Sequence, residues 1–557
     1  MVTITDLRDL RHKHIEAAAQ AWDRLADDLD RLNHRVVDEL TGPTRSSGWY
    51  GTAATAAYNV MDRLDDEYEL AAIKVRVAAA VLHETATRMR RLQDDLHEAL
   101  AAAAAIRGLS IDDHGRVRLA PALARIPAGV ARAEEIVLRL RQLANNFNGR
   151  IDTILANAAD LDTRSAAALR AVGPQFPGQL TPGEYTDATA DARKALQLLH
   201  LSETMIPTNN NPTTAAAWWK ALPAPQQALL LAAYPDKIGA LDGLPATDRD
   251  RANRLALHNM LASLQPTTSG QQHAPEYTRL VRLRDRLEAS EYGPKPHQLF
   301  LLGLDNVADG QAIVAIGNPD TAAHTAILVP GVSTNLDGMG GQIDRAQRML
   351  DTADDYSLNG GAVSVIAWLG YDPPSINVPD IATAPFGAKA ADGAQALDTF
   401  VDGLRTAHST STDHITAVGH SYGSTLLGHA ATHGNGLAVD DILTVGSPGM
   451  RTPHAADLNV GATHTWAGAA SDDPIANPQN HAAAYTGIPI IGPLLADTEL
   501  DIHGISPHQA EFGANQFHVD THGHSGYWDL GSKSLANIGA VIAGRPELTT
   551  LDRKATP

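Results

Sequence analysis

The chain contains no cysteine. That excludes disulfides, thiolate nucleophiles and cysteine-based zinc sites. It leaves the compartment open, because a secreted protein can also lack disulfides. Cations are in deficit: 44 Lys and Arg stand against 64 Asp and Glu, a net charge of −20. A nucleic-acid binder needs clustered Lys and Arg to meet phosphates, so that class is excluded. The acidic balance favours solubility and specifies no partner. No apolar run approaches bilayer thickness, so no transmembrane segment is expected. Residues 1–9 hold no apolar core of the signal-peptide kind, which predicts a cytoplasmic chain.

What is present is typical of a folded, soluble protein: 44% apolar and 19% charged residues over 557 positions. That length exceeds one ordinary core and predicts two or three domains. The stretch that organises the rest is Gly419-His420-Ser421-Tyr422-Gly423, after the apolar run 415–418 and before the helix-compatible run 425–430. Strand, tight turn, helix is the context of a Gly-x-Ser-x-Gly nucleophile elbow. Both glycines are expected because a side chain at either would strike the neighbouring strand or helix. The turn lifts the Ser421 hydroxyl above the sheet edge. It also puts the Tyr422 N–H at a helix start, where it can donate to a developing oxyanion.

The N-terminal third reads as long helices. Ile15, Ala18, Trp22, Leu25, Leu29, Leu32 and Val36 recur at alternating spacings of three and four, with a stop expected at Gly42-Pro43. A second long helix follows Trp49-Tyr50-Gly51. Residues 110–118 predict a small hairpin turning at Gly115. A third helix carries Ile136, Leu140, Leu143, Phe147, Ile151, Ile154, Ala158 and Leu161 on one face. Such stripes serve packing, in a bundle, on a helical protein partner or on a second copy. A Trp-x-Gly turn between two long helices resembles the WXG-motif hairpins of type VII secretion. That resemblance implies export as the alternative to a cytoplasmic location. The export signal of those families, Tyr-x-x-x-Asp/Glu, follows their second helix. Here Tyr58 and Asp62 fall just after the turn.

Pro- and Gly-rich breaks after residue 172 mark a boundary. The division expected is a long-helix bundle over 1–172, a helical connector over 173–295 and a catalytic domain over 296–557. In the last, runs at 298–304 and 311–316 flank Asp309-Gly310, a hairpin signal. Apolar runs at 326–329, 363–368, 415–418, 442–445 and 463–467 then follow, with helical stretches between the first four. This pattern predicts a mostly parallel sheet with helices on both faces, in the α/β-hydrolase order.

Residues 200–557 resemble an uncharacterised α/β-hydrolase family of high-GC Gram-positive bacteria, known as a domain of unknown function. The motifs that carry the likeness are Trp218-Trp219, 238–245, Leu328-Val329-Pro330-Gly331, the elbow, and His524-Ser525-Gly526-Tyr527-Trp528. The resemblance implies the fold and a serine-hydrolase triad, and no substrate. In the chain order Ser…Asp…His, the loop after 463–467 supplies the acid. Asp473 is the first choice and Asp472 the second, since one of the pair can instead cap a turn. Of His518, His522 and His524, the last matches the family's His-Ser motif. The second oxyanion N–H is expected from Val332, with Ser333 as second choice, in the loop that Gly331 opens. No cofactor and no metal are expected; the histidines lack a helical His-Glu spacing. An apolar insertion at 485–495 reads as a lid, an acyl-binding wall or ordinary packing. The expected activity is hydrolysis of a carboxylic ester, a lipid acyl ester included. The alternatives are an amidase or peptidase of the same fold, or a secretion-linked interaction protein with a non-catalytic hydrolase domain.

Overall fold

The computed structural model describes residues 2–123, 131–173, 183–208, 211–265, 274–291, 297–357, 361–374, 386–408, 413–477 and 504–555. The insertion at 485–495 lies outside them. The chain forms two compact units, Met1–Met205 with Leu222–Tyr234, and Ile206–Ala221 with Pro235–Pro557. Residues 173–295 are thus shared between the two. Among the described residues, no helix is long and apolar enough to cross a membrane.

Three long helices dominate the first unit: His12–Val36, Thr52–Ala105 and Ala131–Val172. Met89, Leu96, Leu140, Ile151, Ile154 and Leu161 meet in its core, beside the hairpin strands β1 (Leu109–Ile111) and β2 (Val117–Leu119). The first helix buries alanines rather than the expected leucines. Ala19 and Ala26 are fully buried, whereas Leu25 and Leu32 are exposed. Small side chains let the neighbouring backbone come close, and the longer ones flank the contact. The stop expected at Gly42-Pro43 is corrected. The chain passes through a π-turn at Val37–Thr41 into a short helix, Gly42–Ser46. Pro43 is tolerated because it occupies the first turn of that helix, where its missing N–H costs no intrahelical bond. The chain reverses at Gly48 and Gly51, with φ of 71° and 106°.

The second unit is built on one sheet. Its strands are β3 (Leu299–Asp305), β4 (Gln311–Ile316), β5 (His324–Val329), β6 (Val363–Leu369) and β7 (His414–His420). The sheet continues with β8 (Asp441–Val445), β9 (Thr465–Gly468), β10 (Asn515–Phe517) and β11 (Leu551–Arg553). Their order is β11-β10-β9-β8-β7-β5-β6-β4-β3. From β6 to β10 all neighbours run parallel, and β4, β3 and β11 are antiparallel additions. Alternate residues serve opposite faces. Ala326, Leu328, Val365 and Val418 pack with the helices Met339–Tyr356 and Lys533–Ile542. Ile327, Val329, Ile366 and Ala417 pack with Phe386–Ala407 and Tyr422–Thr432. Both faces being covered explains why these strands read as unbroken apolar runs. The sheet continues past β10 to an edge strand that the sequence runs did not mark. This strand, β11, pairs with β10, and with one apolar residue in Leu551-Asp552-Arg553 it carries no periodic signal.

The amino ends of three central strands are tied by one buried carboxylate. Asp441 accepts from His414 Nε2 at 2.8 Å, Trp466 Nε1 at 2.8 Å and His464 Nδ1 at 3.1 Å. Burial pushes the His414 pKa down, but the hydrogen bond and charge of Asp441, with Asp440 nearby, outweigh it and leave it raised. A raised folded-state value stabilises in full below the unfolded value, about 6.5. That contribution is lost as pH rises through the folded value. The stability advantage of the wild type over His414→Gln should therefore be larger at pH 6 than at pH 9, read as denaturant midpoints. An equal advantage at both would mean that no imidazolium is held there.

Candidate active site

The chain steps from β5 to β6 on one side and then to β7 on the other. The carboxyl ends of β5 and β7 thus flank a topological switch point, where open α/β sheets bind ligands. Val329, the last residue of β5, lies opposite Gly419 on β7. Ser421 follows directly, with φ 54° and ψ −128°. This is a costly conformation for a residue with a Cβ, about 1–3 kcal/mol. It is held from both sides. Ser421 N–H donates to the Val445 carbonyl at 3.1 Å, and the Ser421 carbonyl accepts from Ser424 N–H at 3.0 Å and Ser424 Oγ at 2.6 Å. The glycines answer to close approach. A Cβ at Gly419 would lie 2.7 Å from Ser424 Cα, and one at Gly423 would lie 2.2 Å from the Val329 oxygen.

Asp473 follows β9 and is 0% exposed. Its carboxylate accepts from His524 Nδ1 at 3.0 and 2.9 Å and from the Ile475 N–H at 2.8 Å. It also accepts a hydrogen bond from the Tyr527 hydroxyl. Burial would raise this carboxyl, yet its bonds to His524, Tyr527 and Ile475 hold it below the ordinary value. With Nδ1–H committed to Asp473, the lone pair of His524 is on Nε2. Burial, then the Asp473 charge, raises the Tyr527 phenol well above its ordinary value, so it remains a donor.

The neighbouring candidates have other partners. Asp472 Oδ1 accepts the Gly523 N–H at 2.8 Å, and its Oδ2 meets His522 Nδ1 at 3.4 Å. It therefore holds the loop that carries His524. His518 Nδ1 is 3.1 Å from Asp552, at the β10–β11 edge. In the loop after β5, a Cβ at Gly331 would come within 2.7 Å of Ser421 Cβ and 3.1 Å of its Oγ, so the backbone abuts the serine. Val332 comes next. Ser333 N–H already donates to the Pro374 carbonyl at 2.9 Å. Tyr422 opens the helix after Ser421.

Two supporting residues were not singled out from sequence. His420 Nε2–H donates to the His524 carbonyl at 2.8 Å, with the two rings 4.8 Å apart. Burial, then the proximity of His524 and Arg345, pushes its pKa down to about 3, so it is neutral. The other is Tyr527, whose position three residues after His524, inside the turn Gly526–Trp528, was a usable signal.

The two elbow glycines make a direct test. Gly423→Ala should cost about 1–3 kcal/mol of stability, as overpacking does. The loss is read as a shift in denaturant midpoint. A midpoint equal to the wild type would refute the close approach.

Residues 305–484 match a family model described as alpha/beta hydrolase. The chain is similar to the uncharacterized protein Rv2079 of Mycobacterium tuberculosis, 28% identical over 443 residues, 72% of this chain and 65% of that protein. It is also similar to the uncharacterized protein Mb0988c of Mycobacterium bovis, 30% identical over 238 residues, 41% of this chain and 84% of that protein. The match thus spans about 65% of the length of the longer relative. No solved structure matches. The sheet order, the elbow at the end of β7 and the similarity to Mb0988c together show that the chain belongs to the alpha/beta hydrolase family.

Proposed function

We propose that the second unit is a serine hydrolase that cleaves a carboxylic ester. Ser421 is the nucleophile, His524 the base and Asp473 its orienting carboxylate. The observation that carries this reading is the fork of His524 Nδ1 on the fully buried Asp473, with the strained Ser421 on the adjoining elbow. A structural carboxylate–imidazole pair would not require a strained serine on the elbow whose His420 meets that histidine.

The chemistry follows from these groups. His524 Nε2 takes the Ser421 hydroxyl proton as Oγ attacks the acyl carbon. The buried Asp473 charge stabilises the imidazolium that forms. The oxyanion is met by the Tyr422 and Val332 N–H groups. Collapse expels the alcohol, which takes the proton from His524, and leaves an acyl-serine. Water, deprotonated by His524, then attacks that acyl group, and the acid and free serine are released. Neutral His420 supports the sequence by holding the His524 backbone without adding a charge beside it.

A fluorophosphonate probe should label the wild type at Ser421 and fail to label Ser421→Ala. Turnover of a short p-nitrophenyl ester should vanish with the label. Persistence of either in Ser421→Ala sinks the proposal. Asp473→Asn should lower kcat by about 10³–10⁴ with KM nearly unchanged, because the wrong imidazole tautomer is then favoured. Wild-type kcat in Asp473→Asn would remove the carboxylate from the mechanism.

A further inference from the structure

Resting on the Ser421 reading, we infer that Tyr371 is a positioning residue for the oxyanion site, its hydroxyl fixing the backbone that presents the Val332 N–H to the reacting carbonyl.

The two loops concerned leave the sheet side by side. β5 and β6 are parallel neighbours, so the segments after Val329 and after Leu369 emerge at the same edge. They are joined at two points. The Tyr371 hydroxyl donates to the Pro330 carbonyl at 2.7 Å, and the Ser333 N–H donates to the Pro374 carbonyl at 2.9 Å. Only Gly331 and Val332 lie between these anchors. Gly331 is the residue whose backbone abuts Ser421. Val332 supplies the N–H assigned to the oxyanion.

Both anchors are constrained. The Pro330 carbonyl is also close to the elbow, 2.8 Å from where a Cβ on Gly423 would stand. It is therefore fixed by the Tyr371 hydroxyl and confined by the elbow. On the other side Ser333 adopts φ 58°, a left-handed conformation in a residue with a Cβ. Such a conformation persists only where its surroundings impose it. The bond from Ser333 N–H to Pro374 is such an imposition.

The tyrosine ring is itself immobilised. It stacks on Trp368 with ring centroids 5.9 Å apart and planes 13° apart. Gly393 has no Cβ where one would come within 3.0 Å of Tyr371 Cβ and Cδ2. Burial, then the proximity of Tyr422 and Asp372, holds the phenol well above its ordinary value, so the donor does not titrate near neutrality. A tyrosine that only filled space here would need no hydroxyl. One that only satisfied a buried carbonyl would have no bearing on turnover.

Tyr371→Phe removes the hydroxyl and keeps the ring. The full-length variant should lose kcat by roughly 10-fold, below the ~10²–10³ expected for losing an oxyanion donor outright. KM should change less than twofold, and fluorophosphonate labelling should slow by the same factor as kcat. A boronic acid that mimics the tetrahedral state should lose affinity in proportion. Ser421→Ala is assayed beside it. If Ser421→Ala is inactive while Tyr371→Phe turns over and binds the boronic acid like the wild type, this inference fails and the serine-hydrolase reading stands. If Ser421→Ala remains active, that reading fails and this one with it. A measurement on the wild type covers the case of a variant that does not fold. A crystal structure of the phosphonylated enzyme should place the phosphoryl oxygen about 2.7–3.1 Å from Val332 N, with the Tyr371–Pro330 bond intact. A phosphoryl oxygen elsewhere, or a broken bond, overturns the inference.

Discussion

The constraint on which the second unit depends is the missing Cβ at Gly419 and Gly423. Without it the helix Tyr422–Thr432 could not lie so close to the ends of β5 and β7. That closeness has three results at once. It forces Ser421 into a conformation a serine avoids, it brings Gly331 against the serine side chain, and it confines the Pro330 carbonyl. The helix start, Ser421 and the loop after β5 are therefore one packing solution and not three separate features.

A second solution is electrostatic. Asp473 is a carboxylate wholly removed from solvent, which is costly unless its oxygens are satisfied. His524, Tyr527 and the amides of the following turn satisfy them. The histidine is oriented as one of the donors that keep this acid charged. His420 then holds the backbone of the same histidine. The imidazole is thus fixed through its ring on one side and its carbonyl on the other.

The elbow was legible because its whole signal lies in five adjacent residues, flanked by an apolar run and a helical one. The parallel core was legible because strands covered on both faces have few polar positions. Asp472 and Asp473 were harder to tell apart. They are identical in type, adjacent in a loop, and separated only by where each points: one to the Gly523 amide, the other to His524. His420 carried no signal, since the position before the serine in the elbow admits many residues. Tyr371 was equally silent, because its bond to Pro330 joins two loops brought together by strand order rather than by sequence. β11 was missed for lack of periodicity, and the π-turn at Val37–Thr41 because composition alone does not mark a shift in hydrogen-bond register.

The carboxylate that gathers His414, His464 and Trp466 stands at the amino end of the strands, while Ser421, Asp473 and His524 all follow their carboxyl ends. Cohesion and the proposed chemistry therefore draw on separate residues at opposite poles of one sheet. Loops at the pole of Ser421 can be lengthened or exchanged over evolutionary time while the fastening at the other remains intact. A scaffold divided in this way is free to acquire new substrates without first being rebuilt.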